Sequence, residues 1–207
     1  MTLKLQGSTS GHTAIEAPAS AGSNTLVLPP NNGSANQVLK TDGNGVLTWV
    51  NQTGGLFISY AVLTDQKANN TGGGTNVINS WTTRDLNTEV TDPDSIVSIS
   101  SNKFTLGTGN YLIKWASVAY RTAHYTTRIY DVTNSAVVAT GMSMYAHNTN
   151  YGHVTGTGSS RLTVSGNTEY RQEYYSQVAQ NANGLGKNRD PDGQVEIYSI
   201  IEIYKEA

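Results

Sequence analysis

Hydrophobic and polar residues alternate along most of this 207-residue chain, but the alternating runs change in length near residue 55. Before that point the runs are short, recur at intervals of about ten residues, and end in Gly, Pro, Asn or Ser. Their sequences are TLKLQ, HTAIEAP, NTLVLPP, NQVLKTD and VLTWV. Alternation with a period of two, bounded by turn residues, predicts short β-strands in this part of the chain.

The short N-terminal strands are not expected to form a stable sheet alone, because an isolated two-stranded hairpin is only marginally stable in water. Their apolar side chains therefore need a partner surface, and another copy of the same chain is the favoured partner. The side chains concerned are Leu26, Leu28, Val38, Leu39, Leu47 and Trp49. The sequence QTGG is interpreted as a hinge between an N-terminal segment, 1–55, and a C-terminal domain, 56–207.

After residue 55 the alternating runs are longer and include LFISYAVL, YLIKWASVAY, TTRIYDV, SRLTVSG and TEYRQEYY. Enrichment in β-branched and aromatic residues, without a helical stripe of apolar residues, predicts an all-β sandwich or jelly roll. The closing run QVEIYSIIEIY is predicted to be a strand with two apolar faces. One face would carry Ile197, Ile201 and Ile203, and the other would carry Tyr198, Ile200 and Tyr204.

Composition narrows the classes of partner that the chain is expected to bind. Charged residues form only 14% of the chain and the formal net charge is −2, so no nucleic-acid surface is expected. Polarity comes instead from Asn, Thr, Ser and Gly. Cysteine is absent, which excludes disulfides, thiolate zinc sites and a cysteine nucleophile.

The sequence also bears on membranes and export. No apolar run is long enough to span a bilayer, so membrane insertion is not expected. The opening residues MTLKLQGSTSGHTAIEAP show no cationic region followed by an apolar one, so no signal peptide is expected. If the protein acts outside a cell, synthesis in a host cytoplasm and release by lysis, as for a virus particle, would fit.

The first 55 residues resemble bacteriophage fibre sequence. The resemblance is carried by TAIEAPASAGSNTLVLPPNNGSANQVLKTDGNGVLTWV, and within it by LVLPP, NQVLKTDGNG and LTWV. Segments of this kind occur in tail fibres and related virion appendages. The resemblance implies that residues 1–55 trimerise and attach to other virion proteins.

The rest of the chain looks like the globular head of the complement-q and tumour-necrosis-factor superfamily. The sequence FTLGTGNYLIKW carries this resemblance, and EIYSIIEIYK is similar to the closing strand of that family. The family implies a jelly roll that assembles as a homotrimer with aromatic and aliphatic residues on the threefold axis. The resulting trimer or core candidates are Phe104, Tyr111, Trp115, Tyr198, Ile200 and Tyr204. No Gly-X-Y stalk is present, so the fibre-like segment would take its place.

Three long polar loops are predicted, at residues 65–77, 142–159 and 178–194. Loops on a rigid β scaffold are where binding residues usually lie, and Tyr and His rings suit sugar or peptide surfaces. The receptor-contact candidates are Tyr145, His147, Tyr151, His153, Lys187 and Arg189. Solvated loops and packing between subunits are equally open interpretations of these residues.

Two patterns allow a metal site but are better explained by loops. His147 and His153 are six residues apart, but the sequence positions no third ligand beside them. Paired carboxylates that suit calcium occur in two further loops, at Asp92 and Asp94 and at Asp190 and Asp192. Asp-Pro-Asp-Gly is also an ordinary turn sequence, so neither a metal nor a cofactor is expected.

No catalytic motif is recognisable, and the protein is not expected to be an enzyme. A Gly-x-Ser-x-Gly sequence is absent, and the GGG at 72–74 lacks the Lys-Ser/Thr and helix of a phosphate-binding loop. Glu169 and Glu173 are four apart in a predicted strand and share a face, which leaves a glycosidase pair conceivable. Solvated strand residues are the simpler interpretation.

Together these features predict a structural virion appendage, a homotrimeric phage tail fibre. Its N-terminal segment would anchor to the particle, and its C-terminal heads would contact a glycan or protein on the host-cell surface. Three alternatives stay open. They are a head-attached fibre or decoration protein, a glycan-degrading tail spike, and a soluble trimeric signalling or lectin-like module unrelated to virions.

Overall fold

The computed structural model describes residues 3–52, 55–149, 152–188 and 193–207, and these ranges contain β-strands and no helix. The all-β prediction is therefore confirmed. The chain divides into two compact units, Met1–Thr53 and Gly54–Ala207. Nothing in the described ranges is a helix that could cross a membrane.

The described residues 3–52 of the N-terminal unit contain two separate antiparallel strand pairs. Strand β1 (Leu3–Gln6) pairs with β2 (His12–Ile15), and β3 (Gln37–Thr41) pairs with β4 (Leu47–Asn51). Each of these strands lies in one of the short alternating runs. The alternation therefore predicted these four strands, although none of them is longer than five residues. It was wrong for the run NTLVLPP, which forms only an isolated bridge at Val27.

One acidic side chain shapes the turn between β3 and β4. Oδ1 of Asp42 accepts hydrogen bonds from the backbone N–H of Asn44 (2.8 Å) and of Val46 (3.1 Å). The bond from Asn44 is the main reason that the pKa of Asp42 lies below its usual value. Val46 also forms an isolated parallel bridge with Val27, which places the LVLPP run beside the hairpin.

The apolar side chains of the N-terminal unit lie at its surface. None of the described residues 3–52 is buried, and Trp49 is half-buried with its Nε1–H donated to the carbonyl oxygen of Asn31 (2.8 Å). Nine large apolar side chains here are at least 40% exposed: Leu3, Leu5, Ile15, Leu26, Val27, Leu28, Val38, Leu39 and Val46. Residues 3–52 thus have local structure but form no buried core.

The C-terminal unit is a sandwich of two antiparallel sheets. Sheet I has five strands, which are, in spatial order, β14 (His153–Val164), β10 (Gly109–Tyr120), β16 (Glu196–Glu206), β5 (Phe57–Lys67) and β7 (Thr88–Thr91). Sheet II runs in the order β12 (Ala136–Thr140), β11 (Ala123–Asp131), β15 (Thr168–Ser176), β9 (Lys103–Leu106) and β8 (Val97–Ser100). Two short strands extend sheet II, where β13 (Met144–Ala146) pairs with β11 and β6 (Thr82–Thr83) pairs with β15.

The chain passes repeatedly from one sheet to the other. After β5 in sheet I it adds β6 to sheet II and β7 to sheet I, then forms β8 and β9 in sheet II and β10 in sheet I. It continues with β11, β12 and β13 in sheet II, β14 in sheet I, β15 in sheet II and β16 in sheet I. This alternation of non-adjacent strands is the connectivity of a jelly roll. The predicted β-sandwich is therefore confirmed by the strand order itself.

The hydrophobic core lies between the two sheets and draws on both. Sheet I contributes Leu63, which is fully buried, and Trp115, which is 3% exposed. Sheet II contributes Phe104, which stacks on the ring of Tyr170 with the centroids 5.6 Å apart. Full burial of one such side chain is worth about 1.5–3 kcal/mol, so each of these residues stabilises the unit substantially.

A β-bulge in the closing strand places two residues on the opposite faces from those predicted. The pairing of β16 with β5 shifts between Ile197 and Ser199, so that Tyr198 turns inwards and is 3% exposed. Ile197 is 45% exposed instead. The predicted faces were wrong for these two residues, because one extra residue in a strand inverts the alternation on one side of it. They hold for Ile200, Ile201 and Tyr204.

Two of the predicted polar loops are shorter than expected. Strand β5 continues to Lys67, and most of the predicted loop at 142–159 belongs to β13 and β14. The sequence HVTGTGSS looks like a loop because it is rich in Gly, Thr and Ser. In the sandwich, a Cβ on Gly158 would lie 2.0 Å from the ring of Trp115, so the glycine makes room for a core side chain within a strand.

Candidate functional site

The outer face of sheet I is apolar over much of its area. Ile58 (52% exposed), Tyr60 (47%) and Ile200 (38%) point away from the core. The strand register sets Tyr60 beside Tyr204 and Tyr204 beside Leu112, so aromatic and aliphatic side chains continue across three neighbouring strands. An exposed apolar surface of this kind marks an interaction site in soluble proteins.

A depression lies on the same face. Its volume is about 750 Å³, and Ala116, Thr157 and Ile200 line it from three neighbouring strands. Lys114 and Glu202 also line it, with 3.7 Å between Nζ and Oε2. Small side chains surrounded by longer ones create the hollow, and the exposed ion pair adds little stability but limits which charges fit beside it.

A row of three rings lies at the edge of sheet II, where β13 pairs with β11. The pairing sets His124 opposite Tyr145, with 5.3 Å between the ring centroids and an angle of 76°. The ring of Tyr145 is 6.4 Å from that of His147 at 90°. All three side chains are exposed. The structure thus brings together two receptor-contact candidates and adds His124, for which the sequence suggested no role.

His153 and Lys187 lie in a second group, around Tyr120. The rings of Tyr120 and His153 are 5.3 Å apart, and Nε2 of His153 accepts a hydrogen bond from the backbone N–H of Lys187 (3.1 Å). Desolvation, and secondly the positive charge of Lys187, lowers the pKa of His153 below its usual value. The candidates Tyr151 and Arg189 lie outside the described residues.

The other long loops are packed against each other rather than extended into solvent. The backbone N–H of Gly73, in the segment 68–80, donates to the carbonyl oxygen of Gly186 in the segment 178–188 (2.8 Å). Asn76, which is 3% exposed, donates to a carbonyl oxygen of the second segment (2.9 Å). These segments are therefore fixed by hydrogen bonds, and much of their polar composition serves that packing.

A buried cation, Arg84, holds the sheets and these loops together. Its side chain is fully buried and donates hydrogen bonds to the carbonyl oxygens of Val118 (3.0 Å) and Tyr198 (2.9 Å) and to the hydroxyl of Tyr125 (3.0 Å). It also donates to the carbonyl oxygen of Leu185 in the segment 178–188 (2.5 Å). Asp65, also fully buried, lies 3.8 Å away. The sequence TTRDL resembles an ordinary exposed loop, so it gave no signal of this role.

The two glutamates considered as a glycosidase pair are both engaged in ion pairs. Glu173 is 1% exposed and accepts hydrogen bonds from Nε of Arg128 (2.6 Å) and Nε of Arg171 (2.7 Å). Oε2 of Glu169 accepts one from Nζ of Lys103 (2.6 Å). The two carboxylates therefore serve the packing of sheet II.

The paired aspartates after β7 form a turn. Both oxygens of Asp92 accept backbone N–H groups, from Ile96 (2.9 Å) and Val97 (2.9 Å). Oδ2 of Asp94 accepts the hydroxyl of Ser59 (2.6 Å). These contacts agree with the turn interpretation of TDPDS, since its carboxylate oxygens are used by the protein itself.

The other suggested metal ligands are not brought together. His147 lies beside Tyr145, whereas His153 lies beside Tyr120. Within the described ranges no three His, Cys, Asp or Glu side chains are grouped to hold a metal ion. Asp190 and Asp192 lie outside the described residues.

The trimer or core candidates divide into two sets. Four are buried in the sandwich and have no surface to offer a second subunit: Phe104, Tyr111, Trp115 and Tyr198. Ile200 and Tyr204 lie on the outer face of sheet I. Alternation predicts that strand residues take opposite faces, but it does not say which face meets the other sheet.

Comparisons with known proteins complete the description of the chain. No protein-family model and no curated protein matches it. Among solved structures, it is similar to the crystal structure of murine APRIL at pH 8.0, with 10% identity over 71% of this chain and 98% of that chain and a TM-score of 0.48. It is also similar to the globular domain of zebrafish complement 1qA protein, with 9% identity over 71% of this chain and 94% of that chain and a TM-score of 0.42.

Proposed function

We propose that this chain is a structural subunit of a virion appendage, a phage tail fibre that works as a homotrimer. Its first 55 residues attach it to the particle or to another virion protein. Its C-terminal sandwich contacts a glycan or protein on the host-cell surface. The proposal includes assembly in the host cytoplasm, action on the extracellular particle, and neither catalysis nor a cofactor.

The observation that carries this proposal is the N-terminal unit without a core. Its described residues form ordered strands, yet nine large apolar side chains stay exposed. Two-stranded sheets need further strands or another packed layer for stability. Copies of the same chain, wound together as the fibre-like sequence suggests, supply both.

The outer face of sheet I supports association of the heads. A cyclic trimer uses two different patches of each subunit, which meet around the ring. Sheet I offers an exposed ridge at Ile58 and Tyr60 and a depression beside Ile200. We therefore place the contact between heads on this face, with the ridge of one copy against the depression of the next.

This arrangement leaves the outer face of sheet II open to other partners. The exposed row of His124, Tyr145 and His147 lies at its edge, and rings of this kind suit a sugar or peptide surface. We assign host contact to this side of the sandwich. A head-attached fibre or decoration protein would use the same two surfaces and differs only in where it joins the particle.

The first test is the native mass of the full chain in solution, together with a detergent gel of unheated and heated samples. The proposal expects three times 22.1 kDa, and a trimer that resists detergent until it is heated. A monomer at micromolar concentration would overturn it, because the N-terminal strands would then lack the partner that the proposal requires.

Two variants locate the contact between the heads. Ile200→Asp places a charge beside the depression and is expected to weaken the trimer. The control, Val137→Asp, changes a side chain on sheet II that is more exposed (49%, against 38% for Ile200). Equal loss of trimer in both variants would contradict the assignment to sheet I. For host contact, loss of cell binding is expected when Tyr145 and His147 are both replaced by Ala.

A further inference from the structure

A stack of arginines and aromatic rings covers part of the outer face of sheet II. Cζ of Arg128 lies 4.0 Å from the centroid of the Trp81 ring and 5.1 Å from that of Tyr130. Cζ of Arg171 lies 5.0 Å from the centroid of the Tyr130 ring. The ring centroids of Tyr175 and Trp81 are 5.7 Å apart, and the angle between the two ring planes is 57°. We call these five residues the arginine–aromatic platform.

One buried carboxylate fixes both arginines of the platform. Glu173, with 1% of its side chain exposed, accepts Nε of Arg128 (2.6 Å) and Nε of Arg171 (2.7 Å). The side chains of Arg128 and Arg171 keep 16% and 32% of their surface exposed. Two cations share one anion, so the platform is rigid and retains a net positive charge of one.

Arg128 has donors that the protein does not use. A guanidinium carries five N–H groups, and Glu173 takes only the one on Nε. Within the described part of the chain, the two terminal nitrogens of Arg128 donate no hydrogen bond to the protein. A planar pair of N–H groups that is held in place and still accessible matches a carboxylate better than any neutral group.

The strand register sets the extent of the platform. Thr126 is opposite Tyr175, Arg128 is opposite Glu173, and Tyr130 is opposite Arg171. Four residues along a strand span about 14 Å, so the rings extend on either side of Arg128 beyond the size of a single sugar ring. Aromatic rings pack well against the apolar C–H faces of sugars, and the neighbouring polar groups fix their orientation.

We propose that the arginine–aromatic platform is a binding subsite for an acidic saccharide. The carboxylate of a uronic or sialic acid lies on the terminal nitrogens of Arg128, and the sugar rings lie against the exposed parts of Trp81 and Tyr130. The inference rests on the proposed function for its biological partner, a glycan of the host surface. It narrows that partner from any surface glycan to one that carries carboxylates.

Nucleic acid fits this surface less well. Backbone phosphates are bound by several unneutralised Lys or Arg side chains along a groove. Here one of two cations is neutralised by Glu173, and the nearby Lys103 is paired with Glu169 at 2.6 Å. One charge framed by aromatic rings is suited to a ligand with one carboxylate for each sugar unit.

The test uses the full chain on an array of oligosaccharides that carry uronic or sialic acids, together with the same oligosaccharides after reduction of their carboxyl groups. The strongest binder is then titrated in solution at low and high ionic strength. We expect binding to the carboxylated form, and affinity lower by about tenfold or more after reduction, because the charge-assisted pair is lost.

Matched variants connect the binding to the platform. Arg128→Lys keeps the charge beside Glu173 but removes the planar fork, and we expect about tenfold weaker binding. Trp81→Ala should weaken binding as well. Arg161→Lys is the control, because Arg161 on sheet I also binds a carboxylate, that of Glu206, through two nitrogens (2.7 Å each). Thermal unfolding of each variant verifies the fold.

Three results would overturn the subsite: no carboxylated glycan bound on the array, equal binding after carboxyl reduction, or unchanged affinity in Arg128→Lys. The subsite and the proposed function can fail separately. Cell binding that persists in a trimeric Arg128→Lys variant removes the subsite alone. Binding of carboxylated glycans by a chain that proves monomeric removes the fibre proposal and leaves the subsite in place.

Discussion

The two units of this chain share the same alternation of apolar and polar residues, but they bury very different fractions of their apolar side chains. Strands of the N-terminal unit have four or five residues, and none of the described residues 3–52 is buried. The six longest strands of the C-terminal unit have nine to twelve residues and enclose a core. The alternation therefore specifies strands in both units, whereas burial depends on a second sheet supplied by the same chain.

This difference predicts two kinds of stability. The C-terminal unit should unfold as a cooperative domain that draws most of its stability from its own core, because that core is complete within one chain. The N-terminal unit should gain its stability from association, and that stability should depend on protein concentration.

The largest effect is expected from Arg84→Met in the C-terminal unit. This change removes the donors to Val118, Tyr125 and Tyr198 and leaves Asp65 buried without that cation. Breaking a buried ion pair on one side costs about 3–5 kcal/mol. Denaturant unfolding measures the loss. A loss as small as that in Arg161→Met, which removes an exposed arginine of the same unit, would contradict the structural role of Arg84.

A matched pair of leucines compares the units directly. Leu63→Ala, in the core, should lower the free energy of unfolding by about 2–5 kcal/mol. Leu28→Ala, at a side chain that is 70% exposed, should change the unfolding of the C-terminal unit by less than about 0.5 kcal/mol.

The Leu28→Ala variant should instead reduce the resistance of the trimer to detergent. An unheated detergent gel beside the denaturant curves measures both effects. Two results would contradict this difference between the units. One is that Leu28→Ala lowers the stability of the C-terminal unit as much as Leu63→Ala does, and the other is that Leu28→Ala leaves the detergent resistance of the trimer unchanged.

A glycine in each unit gives a smaller contrast. The Cβ of Gly158→Ala would lie 2.0 Å from the ring of Trp115, so the core must shift, at a cost of about 1–3 kcal/mol. Gly22→Ala in the N-terminal unit meets only the side chain of Asn24, at 3.8 Å, and should be close to neutral. Melting temperatures of the two variants measure the difference, and similar shifts would show that β14 is not packed on Trp115.

The smallest effect is expected on the pH dependence of the free energy of unfolding. One aspartate in each unit has a shifted pKa. Burial raises the pKa of Asp65, against the opposing charges of Arg84 and Lys67, whereas a backbone hydrogen bond lowers that of Asp42. In the folded state Asp65 holds its proton more tightly than it does in the unfolded chain. The contribution of Asp65 to the free energy of unfolding is therefore fully present at low pH. It is lost as the pH rises from the usual aspartate value through the raised one.

Substitution isolates each contribution to the pH dependence. The stability of Asp65→Asn relative to the unsubstituted chain should therefore increase with pH through that window. Asp42→Asn should show the reverse. A carboxyl group whose pKa is lowered on folding stabilises the fold at pH values above its unfolded-state pKa, and this stabilisation is lost as the pH falls through its folded-state pKa. Unfolding curves across the acid range measure both. The same pH slope in the two variants would rule out opposite environments for Asp42 and Asp65.

Local pattern predicted some parts of this molecule well and others poorly. The strands around Trp115 and Ile201 were predictable, since long alternating runs have few alternatives. The loop sequence before Ser160 was misread, because only a neighbouring Trp115 explains why glycines belong in a strand. Tyr145 and His147 were both predicted as receptor contacts. The third ring of their row, His124, was not predicted, because it comes from a different strand.

The all-β class, the change in strand length near residue 55 and the alternating faces of most strands follow from the order of residues along the chain, because these properties depend on near neighbours. The choice of the face that forms the core, the burial of Arg84 and the stacking of Arg128 on Trp81 above Glu173 arise only when the chain has folded. These features join residues that are distant in the sequence. Their energies depend on partners that the folded sandwich brings together and that no local pattern contains.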